Sequence, residues 1–341
     1  MKSYLEFRKK MIRDASKLHI PVHGEFELTS QCNLSCEMCY VKEYMRKKEL
    51  STGEWKKVFK SAVDKGMLFA LLTGGEILTR KDFVELYNYL YDLGVKITLY
   101  TNGTLITEEI CEVLVKRPPD HVSITLYGSS NETYEAITKV KNGFTLVNRG
   151  IDLLIKNKIN LALRTIPLKK IYQEIDDLIN YVKSKNMVMG YTLYVGPRRN
   201  SCNEPLDFRL NPNELVDFEQ KFLKAFGSKS YREFRKSNDG FSCAALKSAF
   251  FITWEGFMQP CALLSNPGKK VTSDSFASVW DELGERAKEV ETCKECSTCE
   301  YKSECVQCVA KLYLEEGSTA KCSKYLKALA EIRREVRNGK V

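Results

Sequence analysis

The sequence predicts an α/β protein: a partial (β/α)6 barrel followed by a small cysteine-rich C-terminal domain. Two observations predict this. Between residues 22 and 195, short β-rich runs alternate with amphipathic segments of helical length. That alternation is typical of a parallel sheet with helices outside it. After residue 241 the long periodic elements become fewer and the cysteines crowd together, which predicts a second domain held by metal.

The alternating region gives six strands and the helices between them. The strands are expected at 25–28, 68–72, 96–100, 122–126, 160–165 and 190–195, with helices that include 54–65, 82–93 and 171–184. Ser51 and Glu54 have the spacing of a capping box at a helix start. In such folds the loops at the carboxyl ends of the strands build the active site.

Five segments are expected along the chain. They are an N-terminal helix (1–20), the barrel (21–200), a helical bridge (201–240), the cysteine-rich domain (241–325) and a basic C-terminal helix (326–341). Asn211 and Pro212 look like the start of a helix within the bridge.

Composition narrows the class of protein. The chain has 341 residues, of which 43% are hydrophobic and 28% charged, as in soluble globular proteins. The amino terminus lacks a signal-peptide core, and the apolar run 67–72 is too short to cross a membrane. We therefore expect a cytoplasmic protein without membrane contact. In that reducing compartment, 13 cysteines indicate metal binding or redox chemistry over disulfides.

The net charge of +9 is concentrated towards the C-terminus, where seven Lys or Arg face two Glu from Lys321 onward. A solvated basic helix is the simpler interpretation, and attraction for an acidic peptide is the alternative. No nucleic-acid-binding motif accompanies the charge, so no nucleic-acid partner is expected.

Cys32, Cys36 and Cys39 follow the first predicted strand directly. Three thiolates at this spacing can hold three irons of a four-iron cube and leave the fourth iron open to a small molecule. The alternative is a zinc site, which would need a fourth ligand such as His23.

This CxxxCxxC arrangement resembles that of the radical S-adenosylmethionine (SAM) enzymes. Gly74-Gly75-Glu76, after the second strand, is similar to the family's GGE motif, and the fourth strand resembles a further family motif over residues 123–128. The resemblance implies a [4Fe–4S] cluster whose open iron binds SAM, with the methionine amino group held by the GGE motif. Glycines permit close backbone approach and a carboxylate pairs with an ammonium. The alternative for Glu76 is a carboxylate at a helix start.

The resemblance suggests three further SAM contacts. Asn102 ends the third strand, and a hydroxyl near Thr125 contacts SAM in the family, although Thr125 is also an ordinary strand residue. Tyr40 lies along the adenine or simply packs.

The C-terminal cysteines resemble the SPASM extension of radical SAM enzymes, which carries two auxiliary [4Fe–4S] clusters. One would use Cys296, Cys299, Cys305 and Cys322, and the other Cys243, Cys261 and Cys308. The second lacks a clear fourth ligand, so either Cys293 completes it or one iron is open. Cys308 departs from the family spacing by one residue, and Cys293 is an extra cysteine. The alternative is zinc that braces the fold.

The resemblance implies a 5′-deoxyadenosyl radical that removes hydrogen from a ribosomally made peptide or a protein, most simply to form a thioether or C–C cross-link. Epimerisation, anaerobic sulfatase-type maturation and small-molecule oxidation are alternatives, and an iron–sulfur electron carrier is the non-enzymatic one. Cys202 would return hydrogen in an epimerase, or is a plain loop cysteine. No catalytic acid or base stands out.

An external electron donor such as flavodoxin or ferredoxin is expected. About twenty residues precede the first strand, too few for a peptide-recognition domain. Either a separate leader-binding protein or the surface of the enzyme would therefore have to recognise the leader.

Overall fold

The computed structural model describes residues 4–42, 48–192, 194–227, 241, 243–305 and 308–339. Six parallel strands run through its first two thirds, in agreement with the predicted α/β class and partial barrel. They are β1 (His23–Glu27), β2 (Phe69–Thr73), β3 (Lys96–Thr101), β4 (His121–Leu126), β5 (Leu161–Thr165) and β6 (Met189–Tyr191). These six strands lie side by side in sequence order.

One helix precedes the first strand, and the others connect the strands or follow them. They are α1 (Tyr4–Lys17), α2 (Thr52–Asp64), α3 (Phe83–Asp92), α4 (Glu108–Lys116), α5 (Asn131–Thr138), α6 (Gly143–Lys156), α7 (Lys169–Gln173), α8 (Ile175–Ser184), α9 (Pro212–Phe226), α10 (Phe276–Lys288), α11 (Lys294–Thr298), α12 (Val309–Glu316) and α13 (Lys324–Arg337). The predicted capping box at Ser51 and Glu54 is confirmed at the start of α2, and the predicted helix start at Asn211 is confirmed at α9.

The two faces of the sheet differ in polarity. Partners in register share a face, and the row Phe26, Leu72, Leu99, Val122 and Leu161 belongs to the apolar face, which joins the main core with the helices. Successive side chains alternate between faces. The opposite face, called the inner face below, carries the polar residues Glu25, Glu27, Thr73, Thr98, Tyr100, Ser123, Thr125 and Arg164. A polar surface of this kind is suited to ligands.

The sheet continues beyond residue 241. Strand β7 (Ala249–Ile252) pairs in parallel with β1, and β8 (Phe257–Gln259) and β9 (Lys269–Lys270) add antiparallel strands at this edge. The cysteine-rich region therefore shares a sheet with the barrel.

Two predicted elements differ from the structure. The helix expected over 171–184 is divided at Glu174, whose carboxylate accepts hydrogen bonds from Ser129 N (2.6 Å) and Thr133 Oγ1 (2.7 Å). The division points this side chain at the loop after β4. The sixth strand ends at Tyr191, before the predicted boundary at 195.

The basic C-terminal helix α13 packs against α9. Three of its arginines form ion pairs with Glu219, Glu300 and Glu304. This pairing favours the simpler interpretation of the basic segment. No helix in the described part of the chain is long and apolar enough to cross a membrane.

Candidate functional site

The first three cysteines lie in the loop that leaves the carboxyl end of β1. Cys36 is buried and Cys32 and Cys39 are half-buried, and each thiol is close enough for its charge to affect the others. Burial is the main cause that raises the pKa of Cys32 to about 11 and that of Cys36 further. Three converging thiols of this kind are stabilised as thiolates by a bound cation, such as iron.

Buried polar contacts hold the start of this loop. Glu49 accepts hydrogen bonds from Thr29 Oγ1 (2.9 Å) and from Ser30 N (2.8 Å). Arg80 donates to Leu28 O at 2.8 Å and pairs with Glu49 at 3.4 Å. Glu49 and Arg80 were not predicted from the sequence, since neither belongs to a motif.

The Gly74-Gly75 turn packs directly against the cysteine loop. Gly75 N donates to Thr29 O (2.8 Å), and Glu76 N donates to Gln31 O (2.7 Å). A Cβ on Gly75 would lie 2.2 Å from Gln31 O, and Gly74 has a φ of +158°. The close approach that these glycines permit is thus to the backbone of the cysteine loop, which fixes the two motifs relative to each other.

Glu76 is 1% exposed and faces three donors. Its Oε1 accepts from Thr101 Oγ1 (2.7 Å) and Leu78 N (3.1 Å), and its Oε2 accepts from Asn102 N (2.6 Å). The contact with Leu78 caps a short 3₁₀ helix, so the helix-start alternative also holds. A carboxylate has about four acceptor sites, which leaves one for an ammonium. Burial raises the pKa of Glu76, and an ammonium would offset that cost.

Asn102 links the end of β3 to the cysteine loop. Its amide nitrogen donates to Asn33 Oδ1 (2.8 Å) and lies 3.9 Å from Cys32 Sγ, while its oxygen accepts from Thr104 N (3.0 Å). These contacts make Asn102 a support for the loop that carries Cys32.

Thr125 is half-buried on the inner face and pairs in register with Arg164. The guanidinium of Arg164 lies 4.4 Å from the centre of the Tyr100 ring. Ser123 Oγ, two residues before Thr125, is buried and has no hydrogen-bond partner among the described residues. Arg164 was not predicted from the sequence, although an arginine within an otherwise apolar strand was a usable signal.

Tyr40 is held by its own contacts. Its hydroxyl donates to Glu27 Oε1 (3.3 Å), and the guanidinium of Arg199 lies 4.8 Å from its ring centre. Arg199 in turn binds Glu27 through both Nη atoms (2.9 and 3.0 Å). The packing alternative for Tyr40 is therefore realised, and its role towards adenine stays a prediction.

Cys202 lies beside the first cysteine site. Arg198 Nη1 is 3.7 Å from Cys202 Sγ, and Arg198 Nε donates to Cys39 O at 3.0 Å. The sequence did not reveal this proximity, because it depends on a contact between residues 159 positions apart.

The four cysteines predicted for one auxiliary cluster line a single cavity: Cys296, Cys299, Cys305 and Cys322. Lys302 and Lys327 also line it. Cys293 lies at this site too, because it belongs to the same buried cluster as Cys296, with Cys322 packed against it.

Cys261 lies close to Cys243 and Cys308, the three residues predicted for the other auxiliary site. Burial, with smaller contributions from these two thiols, raises the pKa of Cys261 to about 12. Cys293 belongs to a different buried cluster, so its placement does not support it as the fourth ligand of this site.

Iron–sulfur cubes fit these donor sets. Thiolates are the ligands that such clusters prefer, and each binds a separate iron. Among the residues that the structure describes, no three Cys, His, Asp or Glu side chains are placed to share one metal ion. A cavity lined by four cysteines matches the four thiolates of a complete cube.

A parallel sheet with a three-cysteine loop and a Gly-Gly-Glu turn at its carboxyl edge defines an enzyme that binds a cluster and a small cofactor together. Residues 26–182 match the model of the radical SAM superfamily. The chain therefore carries a radical SAM domain over these residues and is an enzyme. The radical SAM family uses a [4Fe–4S] cluster and SAM.

Similar proteins differ in what they act on. The AdoMet-dependent heme synthase of Methanosarcina barkeri is 25% identical, over 86% of this chain and 92% of that protein. The subtilosin biosynthesis protein AlbA of Bacillus subtilis is 25% identical, over 78% of this chain and 61% of that protein. The crystal structure of Streptococcus suis SuiB bound to SAM has a TM-score of 0.68 at 18% identity, over 95% of this chain and 82% of that one.

Proposed function

We propose that this enzyme modifies a ribosomally made peptide by radical chemistry and forms a thioether or C–C cross-link in it. The observation that carries the proposal is the joined Cys32–Cys39 loop and Gly75–Glu76 turn at the edge of a polar inner face. The likeness to AlbA, named for the biosynthesis of the bacteriocin subtilosin, supports a peptide substrate. SuiB, whose fold is similar, has also been crystallised with its precursor peptide SuiA.

The residues at the first site have separate roles in this proposal. Cys32, Cys36 and Cys39 hold the cluster. Glu76 accepts a hydrogen bond from the SAM ammonium at its remaining acceptor site. When bound, the cluster supplies the electron that cleaves SAM to methionine and the 5′-deoxyadenosyl radical, which takes a hydrogen atom from the substrate.

Arg164 and Thr125 are proposed to bind the SAM carboxylate. Both lie on the inner face in register, and a guanidinium pairs with a carboxylate through two hydrogen bonds. Arg164→Met should weaken SAM binding, whereas Arg164→Lys should retain part of it. Unchanged SAM affinity in the Met variant would contradict this role.

The remaining cysteine sites are proposed to hold two auxiliary [4Fe–4S] clusters. Cys296, Cys299, Cys305 and Cys322 supply a full set of ligands around one cavity. Cys243, Cys261 and Cys308 supply three, and the fourth position is open to another ligand, including a substrate thiolate. A reducing partner such as flavodoxin or ferredoxin and a separate leader-binding protein complete the proposed system.

The proposal is tested by the intact mass of a short peptide encoded beside the gene, after anaerobic expression with this enzyme. A cross-link removes two hydrogens: one as an atom, to 5′-deoxyadenosine, and one as a proton, with its electron passing to an acceptor. A loss of two hydrogens per event, located by fragmentation, is the expected result. A peptide mass that is unchanged in ordinary water, with deuterium gained in heavy water, would instead favour an epimerase and Cys202 as its hydrogen donor. The Cys202→Ala variant would then lose deuterium incorporation.

A small-molecule substrate is the second candidate. The match to this chain covers 92% of the length of the M. barkeri heme synthase but 61% of the length of AlbA. An iron porphyrin with carboxylate side chains is a suitable probe. Release of 5′-deoxyadenosine together with a changed porphyrin mass, and an unmodified peptide, would favour this candidate over the peptide.

A further inference from the structure

Each of the three cysteine sites has a buried or nearly buried arginine beside it. These arginines are Arg198, Arg199 and Arg333. Each guanidinium donates to a backbone carbonyl of a cysteine or of its neighbour, and each is paired with a glutamate. The same arrangement thus occurs three times at sites that are far apart in the sequence.

Arg198 serves the first site. It is 2% exposed, and its Nε and Nη2 donate to Cys39 O and Glu37 O, both at 3.0 Å. Its Nη1 binds Glu204 at 2.7 Å. The guanidinium therefore holds two carbonyls of the segment between the second cysteine and the third.

Arg199, the next residue, reaches the site of Cys261. Its side chain is 10% exposed and its partner Glu27 is fully buried. Its Nε donates to Ala262 O, one residue after Cys261, at 2.5 Å. Its guanidinium also lies against the ring of Trp254 (5.9 Å).

Arg333, on α13, serves the site in the four-cysteine cavity. It is 8% exposed and binds Glu219 through Nε (2.9 Å) and Nη2 (2.5 Å). Its Nη1 donates to Glu304 O, one residue before Cys305, at 3.2 Å.

Buried ion pairs of this kind are a poor source of stability, because desolvation offsets the attraction between the charges. Their use here is local. Cysteine loops are irregular, so their buried carbonyls need hydrogen-bond donors from outside the loop. A nearby cation also favours the thiolate form of each cysteine over the thiol.

We propose that Arg198, Arg199 and Arg333 are positioning residues, each of which holds the ligand loop of one cluster in its binding shape and partly offsets the charge of that cluster. The inference rests on the proposed clusters at the two C-terminal sites, and for Arg198 on the first cluster alone. One arginine is assigned to each site, so the three variants should have their defects at different sites.

The test compares Arg198→Gln, Arg199→Gln and Arg333→Gln after anaerobic reconstitution. Iron and sulfide per chain, with Mössbauer and EPR spectra, report which clusters form. Each variant should hold the cluster at its own site at least about fivefold less tightly, which is the scale of one lost buried hydrogen bond, and the occupancy of that site should fall. The other two sites should remain filled, and residual first cluster in Arg198→Gln should have a more negative potential.

Two controls separate this role from general stability. Arg209 forms a similar, largely buried pair with Glu315 but donates to Val195 O, which is not next to a cysteine in the chain, so Arg209→Gln should keep all clusters. The double changes Glu27→Gln/Arg199→Gln and Glu219→Gln/Arg333→Gln leave no unpaired buried carboxylate and should retain the site-specific loss.

Full occupancy with parental spectra in the three single variants would overturn the inference, as would an equal loss at all sites. A parent chain with three clusters that leaves every peptide unchanged would contradict the proposed function only. A parent chain with one cluster would overturn the roles of Arg199 and Arg333.

Discussion

Glu76 accepts hydrogen bonds from two backbone amides on opposite oxygens, so Glu76→Gln places a new donor where the protein already has one. Leu78 N lies 3.1 Å from Oε1, and Asn102 N lies 2.6 Å from Oε2. In either orientation, the NH2 of the new amide faces one of these N–H groups. An unsatisfied buried donor lowers the stability of the folded chain by about 1–3 kcal/mol. This cost should loosen the Gly74-Gly75 turn that carries residue 76.

The change also removes the charge that is proposed to bind the SAM ammonium. A hydrogen bond to a charged group is worth about 1.5–3 kcal/mol. SAM should therefore bind about 10- to 150-fold more weakly to the Glu76→Gln enzyme. The assay is a titration of SAM into the reduced, reconstituted enzyme, followed by the change in the EPR spectrum of the first cluster.

Thr101→Val is the matched control. It removes the hydroxyl that donates to Glu76 Oε1 at 2.7 Å but leaves the carboxylate and both amides in place. Because the carboxylate that is proposed to accept the SAM ammonium stays in place, the effect of Thr101→Val on SAM affinity should be smaller than that of Glu76→Gln. Equal SAM affinity in the parent and in Glu76→Gln, at unchanged iron content, would refute the role of Glu76.

Three other outcomes are expected. Burial raises the pKa of Glu76 and SAM needs the ionised carboxylate, so the SAM affinity of the parent should fall as the pH drops through that pKa. The SAM affinity of Glu76→Gln should not change over the same pH series. An equal pH dependence of SAM affinity in the two enzymes would contradict this. Gly75→Ala should abolish SAM cleavage in a folded chain, because its Cβ would lie 2.2 Å from Gln31 O. Gly53 has open space around it, so Gly53→Ala should increase the unfolding free energy by up to about 1 kcal/mol. An active Gly75→Ala enzyme would contradict the proposed close packing of Gly75 on the cysteine loop. Cys305→Ser should lose the iron of the four-cysteine cavity and keep the EPR signal of the first cluster; loss of both signals would show that the sites are not independent.

The strands of the barrel could be predicted because each is a short β-rich run that alternates with amphipathic helices that have their own local signals. The position of β7 could not, since its parallel pairing with β1 joins residues more than 200 positions apart. The break at Glu174 also escaped prediction, because a contact with the loop at Ser129 decides it.

The candidate site shows the same division. Cys32, Cys36, Cys39 and Glu76 belong to compact motifs, so their spacing is visible in the sequence. The pair of Glu27 and Arg199 spans 172 positions, and nothing local distinguishes either residue. Buried arginines that act on distant loops become recognisable only when the fold brings them together.

Release of 5′-deoxyadenosine from SAM by the reduced, reconstituted enzyme tests the central claim most directly. The parent enzyme should release it, and a variant with Cys32, Cys36 and Cys39 all changed to Ala should release none while keeping the iron of the C-terminal sites. The claim is contradicted if the parent, with its first cluster assembled and reduced, releases no 5′-deoxyadenosine, or if the triple variant releases as much as the parent.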